Sequence, residues 1–135
     1  MSLSVSLDFV GAANVGRRDF LDSGPGHATI EVYSTDRPGS GAAPGGSPMV
    51  VVVLAKPCGE VIDGLLHLVA NEPAGELILV GDGSTPAKWA RFKNGAGAWA
   101  MDADVSVSGG GGEVQFPNIN LIAGGRAPLS PSIIG

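Results

Sequence analysis

Apolar and polar residues alternate along much of this chain in short runs divided by glycine and proline. Leu3, Val5, Leu7 and Phe9 alternate with Ser2, Ser4, Ser6 and Asp8. That period of two predicts a strand with one apolar face and one hydroxyl-rich or acidic face. Ala12 to Leu21 fits a short helix or helical turn, in which Asn14 can act as the cap, Gly16 weakens the interior and Gly24-Pro25-Gly26 stops the chain. Ala28 to Tyr33 alternates again. Asp36 to Pro48 then carries Gly39, Gly41, Gly45, Gly46 and three prolines, the composition of a long exposed loop.

The run Met49-Val-Val-Val-Val-Leu-Ala55 reads as a buried strand ended by Lys56-Pro57. Val61, Ile62, Leu65 and Leu66 favour a strand between Glu60 and Val69, with Gly64 as a bulge or bend. Glu76 to Val80 is a further short strand before the Gly81-Asp82-Gly83 turn. The clearest local unit is a hairpin from Lys88 to Val107, turning at Asn94-Gly95 through a two- or four-residue loop. Both loop lengths put Ala90 and Phe92 on one face with Trp99, Met101, Ala103, Val105 and Val107, which is the core face. Trp89, Arg91 and Lys93 share the other face with Asp102 and Asp104, where opposite charges support the pairing.

Gly109 to Gly112 is a flexible turn. Glu113 to Leu121 alternates around Pro117, and Ile133-Ile134 can form a final edge strand. About eight to ten short strands with at most one or two short helices predict an all-β fold. The expected architecture is a two-sheet antiparallel β-sandwich or jelly roll. All 135 residues fit a single domain, 1–135.

Composition narrows the function classes. Glycine and proline contribute 22 and 10 residues, yet 44% of the chain is hydrophobic and only 16% charged, which argues against general disorder. A formal charge of −5 disfavours nucleic acid and anionic membrane as partners. The apolar Met49 to Ala55 run is too short to span a bilayer as a helix. The N-terminal segment lacks the basic start and continuous apolar stretch of a secretory signal, so synthesis in a cytosol is expected. The single Cys58 can form neither an intramolecular disulfide nor a multi-cysteine metal site, and reads as a small buried hydrophobe.

Candidate chemistry is sparse. The chain has no Walker loop, no Gly-x-Ser-x-Gly elbow, and only His27 and His67 as imidazole bases. A Cys58–His67 couple lacks an orienting third group. Asp102 and Asp104 lie on one strand face with Cβ atoms about 7 Å apart, a geometry open to carboxylate catalysis or calcium. Opposite Arg91 and Lys93 they read more simply as a solvated acidic face. No catalytic residue, metal site or cofactor is assigned, and the chain is not expected to be an enzyme. Trp89, on the outer hairpin face, is a candidate anchor for a protein partner or a sugar.

Several segments together resemble a family of small tailed-bacteriophage virion proteins. They are Ala28-Thr-Ile-Glu-Val-Tyr-Ser-Thr-Asp-Arg-Pro38 with the following Gly/Ala/Pro loop, the strand Met49 to Ala55, Pro86-Ala-Lys-Trp-Ala-Arg-Phe92, Met101-Asp-Ala-Asp-Val105, and Ser106 to Leu121 with Ile122-Ala-Gly-Gly125. The resemblance implies a β-rich structural component of the virion, of head-decoration or cement kind, assembled in the host cytoplasm. It implies binding to other virion proteins, the major capsid protein foremost, and self-association into a homo-oligomer. The N-terminus departs from the resemblance, since relatives begin with a helix-forming segment and Leu3 to Phe9 alternate as a strand. Read as an edge strand, Leu3, Val5, Leu7 and Phe9 become the expected partner-binding residues beside Trp89. The competing expectation is a carbohydrate-binding sandwich using Trp89, Asp102 and Asp104, with a hydrolase third.

Overall fold

A computed structural model describes residues 4–135 of the chain. The chain opens not with a strand but with α1 (Leu7–Asp22). Ser6 is its N-cap, and the side-chain oxygen accepts a hydrogen bond from the Phe9 amide at 3.1 Å. Asp8 places a carboxylate in the first turn, where the helix dipole favours it. The alternation at Val5, Leu7 and Phe9 is therefore overridden by a cap and sixteen residues without proline. Leu3 lies outside the described residues. Asn14 is not a cap; it is fully buried within the helix, and its Nδ2 donates to the Gly64 carbonyl at 2.6 Å.

Nine strands follow: β1 (Thr29–Tyr33), β2 (Val50–Ile62), β3 (Leu65–Ala70), β4 (Glu76–Leu77), β5 (Trp89–Lys93), β6 (Trp99–Val107), β7 (Val114–Phe116), β8 (Arg126–Ala127) and β9 (Ile133–Ile134). Seven form one sheet in the order β7-β6-β5-β1-β2-β3-β9, while β4 and β8 form a second, two-stranded sheet. The all-β, two-sheet expectation holds, with strands unequally shared. Every pair is antiparallel except β6–β7. The Ser130 amide donates to the Gln115 carbonyl at 2.8 Å, and the Gln115 amide to Ser132 Oγ at 3.0 Å. These bonds draw the segment before β9 onto β7, so the large sheet nearly closes on itself. Ile30, Val32, Val52, Leu54, Leu66, Phe92 and Phe116 fill its interior.

Lys56-Pro57 does not end the Val50 strand. Pairing with β3 runs from Leu54↔Ala70 to Gly59↔Leu68, so extra residues of β2 loop out between them. Lys56 Nζ reaches the Gly24 and Gly26 carbonyls at 2.8 and 3.0 Å, and the Cys58 amide donates to the Asp22 carboxylate at 2.9 Å. The Asp22 carboxylate gives the Cys58 amide a partner in place of the ladder, and Lys56 ties the bulge to the Gly24–Gly26 turn. Beyond them, Glu60 to Val69 is not one bent strand but a tight hairpin. Asp63 and Gly64 both have positive φ, +51° and +81°, and connect Ile62 directly to Leu65. Helix α1 packs on β2 and β3 over this turn.

Parallel neighbours ordinarily need a long crossover. Here six residues, Ser108 to Glu113, suffice because the glycine run lies almost on β6. A Cβ on Gly112 would sit 2.8 Å from both the Asp104 carbonyl oxygen and the Ser106 nitrogen. Gly112→Ala is expected to lower stability by about 1–3 kcal/mol through overpacking against backbone. Gly16, by contrast, is helical, and a Cβ there would meet nothing within 4 Å. Gly16→Ala should raise stability by about 0.5–1 kcal/mol. Urea unfolding of both variants checks the opposed signs.

Candidate functional site

Two regions contain the residues singled out by sequence. The first is the outer face of the β5–β6 hairpin. Register places Trp89 opposite Asp104, Arg91 opposite Asp102 and Phe92 opposite Met101, so these residues share faces as the alternation predicts, although neither a two- nor a four-residue loop at Asn94-Gly95 gives this register. Between Phe92 and Lys93 the register shifts, and Lys93 pairs with Trp99. Ala100 is the extra residue, and this one-residue bulge moves Trp99 off the core face. Trp99 is accordingly 42% exposed, whereas Trp89, still on the outer face, is only 1% exposed, so the expected environments of the two tryptophans are exchanged.

Trp89 is covered because its face of the sheet has a second layer. Its ring stacks on Tyr33, with centroids 4.7 Å apart and planes inclined by 17°. The Arg91 guanidinium lies 5.4 Å from the Trp89 centroid and 6.0 Å from that of Trp99. Above them runs the 36–48 segment, a strap with little regular structure. Arg91 Nη2 donates to the strap's Ala42 carbonyl at 2.7 Å. Arg37 bonds Asp104 at 2.8 Å, and Lys88 lies 3.4 Å from Asp36. The last two pairs are exposed and contribute little. Trp89 therefore cannot anchor a partner or a sugar in this arrangement.

Arg91 and Asp102 form a buried, two-pronged pair, Nε–Oδ1 at 2.9 Å and Nη2–Oδ2 at 3.0 Å. Trp99 Nε1 donates to the same Oδ1 at 3.1 Å. Burial alone would raise the Asp102 carboxyl, but hydrogen bonds from Arg91 and Trp99, with the Arg91 and Arg37 charges, hold it below the usual carboxylate range. Asp102 is thus consumed by structure, whereas Asp104 stays exposed and makes only a surface contact with Arg37. Beside them Lys93 pairs with Glu31 at 3.0 Å, and Tyr33 Oη donates to Glu31 at 2.9 Å.

The remaining chemistry-bearing side chains are dispersed in their bonding. The His27 Nδ1–H donates to the Leu54 carbonyl at 2.8 Å. His67 stands opposite Glu60 in the β2–β3 ladder. Cys58 is fully buried, and its thiol is pushed up to about 12 by burial first and the Asp22 carboxylate second. It is no nucleophile at neutral pH. Among the described residues, no group of three or more His, Cys, Asp or Glu side chains could hold a metal ion. No described helix is long and apolar enough to cross a membrane.

The second region is α1. Val5, Leu7 and Phe9 are exposed, as is Phe20 at the far end of the helix. For Leu7 and Phe9 the exposure arises from an outward helix face rather than a free strand edge, so these residues offer no edge for strand addition. Phe9, Ala13, Gly16 and Phe20 follow one another at intervals of four, three and four, which aligns them on one side of a helix. Along Ala13, Gly16 and Phe20 opens a groove of about 430 Å³, mostly apolar, with Leu66, Met101 and Ile134 on its other side and Arg17 its one charged lining residue. Phe20 is legible as part of this face once Ser6 is read as the cap. Trp99 is not, because no residue announces the bulge at Ala100.

Comparison of the chain with protein-family models, with curated proteins and with solved structures finds no match.

Two consequences are measurable. Asp102→Ala leaves Arg91 charged, buried and without its carboxylate, and should cost about 3–5 kcal/mol. The double replacement Arg91→Met with Asp102→Leu should recover most of that loss, as urea midpoints of the three variants would show. The second concerns alkali. Tyr33 is also raised to about 12, by burial first and then by its hydrogen bond to and the charge of Glu31. In the unfolded chain these groups deprotonate near their ordinary values of 9.0 for the thiol and 10.0 for the phenol. The unfolded state then holds fewer protons than the folded one, so stability falls as pH rises. The contribution is complete below about pH 9 and lost progressively toward pH 12. Melting temperatures across that interval should decline, and Cys58→Ala should shallow the decline at its lower end.

Proposed function

We propose that this chain is a structural protein of a tailed-bacteriophage virion that binds other virion proteins, as a capsid decoration or cement protein does. The observation carrying this reading is the apolar face of α1. Phe9 is 68% and Phe20 47% exposed, and the groove beside Phe20 is bounded by Leu66, Met101 and Ile134. Large apolar side chains on an outward helix face, beside an open apolar groove, are suited to burial against another protein. The occupant is a neighbouring shell subunit, the major capsid protein, following the resemblance of the segments around Trp89 and Val105. The helical start of the chain agrees with that resemblance better than the alternating pattern does.

The mechanism is burial of surface. Covering one phenylalanine side chain contributes about 1.5–3 kcal/mol, so the two rings supply several kcal/mol of adhesion to a subunit boundary. Repetition over many shell positions turns that contact into mechanical reinforcement. The net charge of −5 keeps the protein away from packaged nucleic acid and on the outer, protein-facing side. Copies of the chain would meet one another on the shell as a homo-oligomer. No catalytic step and no cofactor belong to this reading.

Purified protein added to capsids of the phage that encodes it should co-sediment with them. Phe9→Ser combined with Phe20→Ser should weaken that binding by roughly tenfold or more while leaving the melting temperature nearly unchanged, since both rings are exposed. Absence of co-sedimentation, or binding that the double variant does not alter, overturns the proposal.

A further inference from the structure

We propose that Trp99, with the cleft beside it, is a stacking subsite for a pyranose ring of a glycan. The bulge at Ala100 turns Trp99 outward where plain alternation would bury it. Bulges recur where a side chain is re-aimed for function. The ring is also held: its Nε1 donates to the buried Asp102 carboxylate at 3.1 Å, and a Cβ on the strap's Gly41 would lie 3.4 Å from its Cζ3. An exposed aromatic fixed before binding loses little conformational entropy when a ligand lands on it.

The cleft measures about 360 Å³ and is lined by Arg37, Pro38, Ser40, Trp99, Met101 and Asp102. This is room for a single sugar ring with its hydroxyl groups. Trp99, Pro38 and Met101 supply apolar surface for the C–H face of a pyranose. Arg37 and Ser40 supply polar groups at the rim for its hydroxyls. The site is nearly charge-balanced, because Arg37 is paired with Asp104 and Asp102 with Arg91. A neutral hexose therefore suits it better than a strongly anionic sugar. This subsite differs from the one alternation suggests: Trp89 is sealed beneath the strap, and Asp102 orients the platform rather than the ligand.

The protein has two tryptophans, one buried and one exposed, so its indole signals report the site directly. Maltohexaose, cellohexaose and chitohexaose would each be titrated to about 10 mM, a range suited to single-ring recognition. Proton–nitrogen NMR spectra of the two indole N–H groups are the readout, with calorimetry alongside. One of these sugars should move the Trp99 indole resonance in a saturable way and leave that of Trp89 in place. Trp99→Ala should weaken binding by roughly tenfold or more. Trp99→Phe, which keeps an aromatic face without the bond to Asp102, should retain part of it even if the alanine variant unfolds. A Trp99 resonance unmoved by all three sugars, or calorimetric affinity unchanged in Trp99→Phe and Trp99→Ala, overturns the proposal.

Discussion

The Arg91 guanidinium lies on a face of the sheet that the strap has closed to water, and a buried cation must be paired. Asp102, directly across the ladder, accepts it through two nearly parallel hydrogen bonds. Around that pair the rest of the outer layer is arranged. Trp89 lies against the guanidinium and stacks on Tyr33, Ala42 of the strap accepts a further bond, and Trp99 takes its orientation from Asp102. Such a pair adds less to stability than its geometry suggests, because desolvation offsets much of the attraction. Its larger effect is on uniqueness. A shift of β5 against β6 by one residue would turn Arg91 toward the core and leave Asp102 unpaired beneath the strap.

Strand β5 is consequently buried on both faces, although it belongs to an antiparallel sheet. Antiparallel strands usually keep one face in water. The glycine- and proline-rich strap makes the exception, since its own residues are largely exposed while its backbone seals the layer below. The opposite end of the molecule is organised by a different device. Asn14 within α1 bonds the Gly64 carbonyl in the turn between β2 and β3, beside the small Gly11, while Arg17 bonds the Gly135 carbonyl, Asp22 accepts the Cys58 amide and Leu21 enters the core. That anchorage uses one face of the helix and leaves Phe9 and Phe20 outward. The two proposed surfaces thus stand on separate supports: an apolar helix face for a protein partner, and a rigid indole beside the strap for a sugar.

The alternation of residues by itself determined the all-β class, the buried side of β1, the shared face of Arg91 and Asp102 and the inward side of Ala90 and Phe92. These are consequences of period two, which depends only on local backbone geometry. The Asp63-Gly64 turn was also legible, since aspartate followed by glycine is among the strongest short hairpin signals, yet the surrounding apolar run reads as one bent strand. Only the tertiary structure decided the rest. The alternation at the N-terminus gave way to a helix because Ser6 caps it and the Gly64 turn receives it. Trp89 and Trp99 exchanged environments because a single bulged residue reverses every facing beyond it, and because a strap distant in sequence closes over one side of the sheet. Exposure depends on what covers a side chain, and the covering segments come from elsewhere in the chain.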